Sequence, residues 1–183
     1  MGTAPFDHLS QEMTGFMRSS VLGALAELDL GTVILSNGNS LGVAELARLC
    51  ACDERGVEAL LDALAALGYF AKAGTGAAAR YSVAEEYKNF LDSRHPSTFI
   101  PMMRHMAGLQ RSWARLAWAV RDGKPQDKIP SILGVEQDRI SFIMAMNSIA
   151  VRLVDKAVAS LFSAGVLSFT SKGLRILDIG GAS

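Results

Sequence analysis

The stretch that decides the fold is VAELARLCACDERGVEALLDALAALGYF, residues 43–70. Residues 43–49 have the apolar spacing of a short helix, and Asp53 stands where a side-chain oxygen caps the next helix. Gly68 stands where a glycine ends that second helix. The apolar residues between the two signals share one helical face: Val57, Leu60, Leu61, Leu64 and Leu67. The stretch therefore predicts two helices joined by a turn.

Two short strand patterns follow these helices. Residues 69–72 and 80–83 are rich in aromatic and β-branched side chains, and the Gly- and Ala-rich residues 73–79 separate them. A helix, a turn, a second helix and a hairpin together are the outline of a winged helix.

Long helical patterns flank this outline on both sides. Residues 6–35 carry an apolar stripe at three- and four-residue spacing, residues 97–121 form a second helical pattern, and residues 137–163 a third. The chain closes with a buried-strand pattern at residues 174–179 and a Gly-Gly turn. These patterns predict a mainly α fold with a small β-hairpin wing, ending in the first strand of an α/β Rossmann-like domain that the chain does not complete.

Composition limits the function classes. The 183 residues include 18 basic and 18 acidic side chains, and this balance disfavours a strongly electrostatic partner such as DNA or an anionic membrane. No apolar run reaches the length of a membrane helix, and no signal peptide is evident. Cys50 and Cys52 lack the second ligand pair that zinc needs, so we expect reduced thiols, no metal site and a cytoplasmic protein.

The predicted second helix of the winged outline is a poor DNA reader. It begins Asp53-Glu54-Arg55-Gly56-Val57-Glu58 and continues almost wholly apolar, whereas base-reading helices carry Arg, Lys, Asn or Gln near their N-terminus. The wing adds only Lys72 and Arg80. The pattern favours a scaffold or dimerisation module and predicts no nucleic-acid partner.

Five motifs in a fixed order carry a family resemblance. They are residues 22–31 (LGALAELDLG), residues 60–70 (LLDALAALGYF), residues 113–125 (WARLAWAVRDGKP), the pair Phe142 and Met146, and residues 178–181 (DIGG). Together they resemble the N-terminal half of the class I S-adenosylmethionine-dependent O-methyltransferases. That family includes plant caffeate-type enzymes and bacterial enzymes that act on polyketides, antibiotics and pigments.

The resemblance implies a division of the chain. Residues 1–95 would form the helical dimerisation and winged-helix domain, and residues 96–172 the long helices that roof the acceptor site. Residues 173–183 would supply the first strand and glycine turn of the truncated cofactor-binding domain. The family's N-terminal helices interlock across a two-fold axis, which implies a homodimer. An exposed apolar stripe on residues 6–35 agrees with that expectation.

The candidate cofactor residues are Asp178, Gly180 and Gly181. Glycines after a strand let the backbone approach a ligand without a Cβ, and Asp178 lies at the strand's carboxyl end, where open α/β sheets bind ligands. From the residues alone an ordinary tight turn is an equal alternative; the resemblance implies S-adenosylmethionine. Ala182 departs from the family by replacing its third glycine.

The candidate acceptor-binding residues are Phe142, Met146 and Asn147, by resemblance, with Met103 on the preceding long helix. Methionines adapt to flat ligands, although core packing is the slightly favoured explanation for each one singly. His105 lies among Met102, Met103 and Met106, and we expect it to be a packing residue. The resemblance implies a general base and a ribose-binding acid after Ser183, so no catalytic residue is assigned to the chain.

These observations lead to one principal hypothesis and two alternatives. The chain would be the dimerisation and substrate-roofing part of an O-methyltransferase for a small aromatic or polyketide-like hydroxyl acceptor, and it would be inactive on its own. A non-enzymatic winged-helix transcription regulator is the alternative. A methyltransferase-like protein that has lost catalysis also stays open. We further expect the terminal strand to be poorly ordered or packed in a non-native way.

Overall fold

The computed structural model describes residues 4–168, 170, 172, 173, 175, 177 and 179. Helices dominate, and the predicted mainly α class is confirmed. The helices are α1 (Pro5–Glu27), α2 (Leu30–Ser36), α3 (Val43–Leu49), α4 (Glu54–Ala66), α5 (Lys88–Leu91), α6 (Ile100–Trp113), α7 (Leu116–Asp122) and α8 (Val135–Ser163). The strands are β1 (Leu41–Gly42), β2 (Phe70–Ala73) and β3 (Arg80–Val83).

The predicted helix–turn–helix and hairpin are present. The Asp53 side chain caps α4 by accepting a 2.8 Å hydrogen bond from the backbone N–H of Gly56. Gly68 follows α4 with a positive φ of 82°, a conformation that glycine adopts without steric cost. The hairpin pairs β2 with β3 in antiparallel register, with Phe70 opposite Val83. The elements thus follow in the order of the predicted winged outline.

A third strand joins the sheet, and the sequence patterns did not predict it. β1 is two residues long and pairs antiparallel with β3, which places β3 at the centre of the order β1-β3-β2. Asn39 supports this edge, because its side chain both accepts from the Val83 N–H and donates to the Val83 carbonyl. A strand this short has no periodicity to detect.

The helical pattern of residues 6–35 is broken at Asp29. This residue adopts a left-handed φ of 53°, which ends α1 and turns the chain into α2. Its carboxylate accepts hydrogen bonds from the hydroxyls of Thr32 (2.7 Å) and Ser93 (2.8 Å), and Arg104 lies 3.8 Å away. This network ties the α1–α2 junction to the loop after α5 and to α6.

The main core lies where α2, α3 and α4 meet the sheet and the second half of α1. Tyr81 at the centre of β3 is fully buried, and its hydroxyl donates a 2.6 Å hydrogen bond to Asp62 on α4. The most deeply buried aliphatic side chains come from these elements and from the start of α6: Leu25, Leu30, Ile34, Leu46, Leu61, Leu64, Val83 and Ile100. The first half of α1 contributes no buried residue and extends beyond this core.

The prediction of one helix over residues 97–121 is wrong. Two helices occupy the region, and the chain leaves helical geometry at Arg115, with φ −108° and ψ 21°. The Arg115 guanidinium there donates to the Asp127 carbonyl in the loop before α8. The apolar spacing continues through the break, so the sequence pattern could not reveal it. The predicted helix over residues 137–163 is present and begins two residues earlier.

α6 packs between α1 and α8. Gly23 of α1 lies so close to Ala107 of α6 that a Cβ at position 23 would be 2.9 Å from the Ala107 Cβ. On the other side the His105 ring meets Phe142, and the Phe99 ring meets Arg152. Because the order of contacts reverses along the two helices, α6 and α8 run antiparallel.

Candidate functional site

An apolar groove with a volume of about 530 Å³ lies between α1 and α6. Phe16 and Leu22 form its α1 wall, and Gly23 lets the two helices approach at its base. The α6 wall consists mostly of large apolar side chains: Phe99, Met103, Met106, Leu109 and Trp113. A groove with this lining favours an uncharged apolar occupant.

Polar bonds between α1 and α6 hold the groove's shape. Gln110 of α6 donates to the Ser20 hydroxyl (2.9 Å) and to the Phe16 carbonyl (3.1 Å). Arg111 of α6 forms a 2.5 Å ion pair with Glu27 of α1, and both side chains are largely buried. The Arg111 charge beside the groove is therefore paired within the fold, and the groove lining is mostly apolar.

Met103 is the predicted acceptor residue that lies in this groove, where it is almost fully buried. Phe142 and Met146 lie on α8 instead, one helical turn apart on one face, and both are partly exposed. Asn147 is exposed and follows Met146 directly, so it is turned by about 100° around the helix. The four residues thus occupy two neighbouring surfaces, and their assignment as acceptor contacts stays a prediction.

The sequence analysis missed several residues of the groove. Phe16, Phe99 and Trp113 line it, but their patterns indicated only helix surfaces. Hydrogen bonds that cross 90 and 94 residues bring the two walls together, and local periodicity carries no such information. The Trp113 motif of the resemblance and the predicted acceptor residue Met103 were the signals that pointed to this region.

The predicted cofactor residues Asp178, Gly180 and Gly181 lie outside the described residues. The same is true of much of the predicted terminal strand, although its described residues Leu177 and Ile179 are exposed. The assignment of S-adenosylmethionine to these residues, and the expectation about the order of the strand, stay predictions.

The cations of the wing are engaged within the fold. Lys72 forms a 2.6 Å ion pair with Asp62, and Arg80 donates to the Ser40 side chain and carbonyl. The hydrogen bonds from Lys72 and Tyr81 hold the pKa of Asp62 below its ordinary value. These contacts stabilise the hairpin and leave the wing with little free positive charge.

The described part of the chain holds no group of three or more His, Cys, Asp or Glu side chains that could bind a metal. Cys50 and Cys52 are free and half-buried, and burial raises the pKa of the Cys50 thiol. Among the described helices, none alone has the length and apolar composition to span a bilayer, although α1 and α2 pass that test together across their 50° bend.

A stripe of large apolar side chains on the first half of α1 is exposed. We call it the α1 stripe; it consists of Phe6, Leu9, Met13, Phe16 and Met17. Phe6, Leu9 and Met13 are 79%, 63% and 72% exposed. Phe16 also lines the groove, so the stripe and the groove form one continuous apolar surface.

Known proteins match both the sequence and the fold. Residues 10–93 match the O-methyltransferase dimerisation domain family. The chain is 28% identical over 152 residues to the acetylserotonin O-methyltransferase of Homo sapiens, covering 77% of this chain and 44% of that protein. The Rattus norvegicus acetylserotonin O-methyltransferase is 31% identical over 143 residues, covering 72% and 32%. The chain spans less than half the length of these curated relatives.

Solved structures match over a similar share. Human N-acetylserotonin methyltransferase in complex with SAM superposes with a TM-score of 0.66 at 27% identity, covering 82% of this chain and 48% of that one. PigF with SAH superposes with a TM-score of 0.63 at 24% identity, covering 81% and 45%, and this likeness supports the fold alone.

Proposed function

We propose, from the premise that residues 10–93 are an O-methyltransferase dimerisation domain, that this chain is the dimerisation and acceptor-roofing part of an S-adenosylmethionine-dependent O-methyltransferase. The family resemblance drawn from the sequence is confirmed by that match. The observation that carries the proposal is the continuous apolar surface of α1 stripe and groove, which lies within and beside the matched segment.

The α1 stripe is proposed as the contact with a second copy of the chain. Large contiguous apolar patches are rare on monomers and mark interaction sites. The stripe lies on a helix half that packs against no core of its own. A two-fold axis would place equivalent stripes of two copies against each other. The proposed assembly is therefore a homodimer.

The homodimer is tested with charge substitutions on opposite faces of α1. The double variant Leu9→Glu, Met13→Glu places two carboxylates in the stripe, and we expect a monomer by size-exclusion chromatography with light scattering. Gln11→Glu is the control, because Gln11 is exposed and lies on the far side of the helix. The control should stay dimeric, and a double variant that also stays dimeric would contradict the proposed interface.

The proposed acceptor is a small aromatic or polyketide-like molecule that carries a hydroxyl group. The α6 wall of the groove offers Met103 and Met106, and the neighbouring face of α8 offers Phe142 and Met146. Methionine side chains adapt to flat apolar ligands. Arg111 beside the groove is paired with Glu27. An aromatic ring would bury apolar area on this surface.

Asp178, Gly180 and Gly181 are proposed to begin the S-adenosylmethionine site. The cofactor would supply the methyl group, while the glycines would let the backbone approach it and Asp178 would orient the turn. By resemblance the ribose-binding acid and the general base belong to sequence after Ser183. The parent protein is therefore the proposed enzyme, and the 183-residue chain alone is proposed to be inactive.

Calorimetry with S-adenosylmethionine tests the incomplete cofactor site. The 183-residue chain should give no micromolar binding, because too few contacts to the cofactor are present. Micromolar binding by the chain, lost in the Asp178→Ala variant, would show that these residues suffice and would contradict the proposed inactivity at the binding step.

A DNA-binding regulator is not favoured. The first turn of α4 is acidic, and Asp53 is committed to the helix cap. Lys72 and Arg80 of the wing are engaged in internal contacts, which removes the cations that phosphate contacts need. Fluorescence anisotropy with mixed duplex DNA checks this: tight, salt-sensitive binding would favour the regulator.

A further inference from the structure

Most polar side chains of α6 form hydrogen bonds or ion pairs within the fold. Arg104 donates to the Ala26 carbonyl, and Ser112 donates to the Gly108 carbonyl within the helix. Gln110 and Arg111 bind α1, as described above. His105 and the exposed Trp113 are the remaining side chains of the helix with polar atoms. No hydrogen bond joins the His105 imidazole to any residue in the described ranges. The imidazole nitrogens therefore form no hydrogen bond that stabilises the described part of the fold.

His105 is nevertheless held in a defined place. Its ring centroid lies 5.1 Å from that of Phe142, and the two rings are tilted by 57° across the α6–α8 contact. His105 is half-buried, while Phe142 is 47% exposed. The Phe142 ring therefore leaves much of its surface open, and the imidazole lies beside it.

We propose that His105 is an acceptor-binding residue, whose imidazole hydrogen-bonds a polar group of the aromatic molecule that packs on Phe142. This inference rests on the proposed function, which brings an aromatic hydroxyl compound to this face of α8. The neighbouring methionines and Phe142 hold an aromatic ring without orienting it, because dispersion contacts are not directional. A neutral imidazole has one donor nitrogen and one acceptor nitrogen, so it can orient the ring through one hydroxyl group.

The alternative role of His105 is packing alone, and two substitutions separate the roles. His105→Phe keeps an aromatic ring against Phe142 but removes both nitrogens. His105→Gln loses the ring but keeps a hydrogen-bonding group at similar reach. Acceptor binding through the nitrogens predicts that the phenylalanine variant binds the probe roughly 3- to 10-fold more weakly, while the glutamine variant stays within about 2-fold of the wild type. Packing alone predicts the opposite order.

The measurement is an NMR titration of the 183-residue chain with N-acetylserotonin as the probe. Labelled histidine Cε1 and methionine methyl groups report on each position. We expect saturable shifts of His105, Met103 and Met146, no shift of the exposed control His8, and a smaller His105 shift with the analogue that lacks the hydroxyl.

The outcomes distinguish the inference from the function on which it rests. Methionine shifts without a His105 shift, or a phenylalanine variant that binds as tightly as wild type, would overturn the role of His105 and leave the acceptor surface standing. An absence of shifts at both methionines would overturn the acceptor surface, and the role of His105 with it.

Discussion

Replacing Gly23 by alanine tests whether α1 and α6 pack as closely as the structure shows. A Cβ at position 23 would be 2.9 Å from the Ala107 Cβ and 3.9 Å from the Ala107 Cα. Alanine has no rotamer to change, so relief requires the two helices to separate. Overpacking of this kind costs about 1–3 kcal/mol.

Gly15→Ala is the matched control on the same helix. A Cβ there meets no heavy atom of the fold within 4 Å, and Gly15 lies opposite the α1 stripe. Each substitution adds up to about 1 kcal/mol to the free energy of unfolding, because alanine has a higher helix propensity than glycine. This gain cancels between the two variants, so their stabilities should differ by the packing cost, about 1–3 kcal/mol. Gly15→Ala should stabilise the chain, and Gly23→Ala should leave it unchanged or less stable.

Equilibrium unfolding in urea, followed by far-ultraviolet circular dichroism, measures this difference. All variants must be compared at one protein concentration, because dimerisation would couple stability to concentration. Adding Ala107→Gly to the Gly23→Ala variant restores the space, and a double-mutant cycle should show favourable coupling of about 1 kcal/mol or more. Equal stabilisation by both single alanine substitutions would refute the close packing of α1 and α6.

Three further predictions concern the core and the wing. Asp53→Ala should cost about 1 kcal/mol of unfolding free energy through loss of the α4 cap, whereas Asp53→Ser should keep most of it; urea unfolding of both variants measures this. Gly31→Ala should destabilise by at least about 3 kcal/mol, since its Cβ would lie 2.2 Å from the Leu91 carbonyl oxygen, and a well-folded variant by circular dichroism would contradict that contact. The hydrogen bond from Lys72 lowers the pKa of Asp62. The ionised carboxylate therefore stabilises the fold at pH values above 3.8, the ordinary pKa of an aspartate. This stabilisation is lost as the pH falls through the lowered pKa. The stability gap between wild type and Asp62→Asn should therefore shrink below about pH 4, and a gap independent of pH would exclude this linkage.

Local signals predicted the centre of the fold well. The Asp53 cap and Gly68 bracket α4 as expected, because capping and positive φ are properties of a few consecutive residues. Other features were not predicted from the sequence, because they depend on contacts between residues that are distant along the chain. The break at Arg115 coincides with a contact to the Asp127 carbonyl, and the two-residue strand β1 exists only through its pairing with β3.

The sequence predicted which types of side chain form the candidate site, but not how the structure arranges them. Met103, Phe142 and Met146 were selected for their apolar side chains and by family resemblance, yet the structure distributes them over the α1–α6 groove and the exposed face of α8. The sequence could place residues on helices, but it could not say which helix faces meet. That information resides in contacts such as Gly23 with Ala107, which cross more than eighty positions.

Charge pairing, more than composition, determines what this surface can bind. The equal numbers of acidic and basic residues disfavoured a strongly charged partner, but they did not show where polar groups are left free. On α6 the two arginines are engaged with α1, which makes the groove apolar although two cations flank it. The same pairing leaves His105 as a side chain of that helix whose nitrogens form no hydrogen bond within the described residues. An acceptor that fits this surface should therefore combine an aromatic body with few polar groups, one of them within reach of the imidazole.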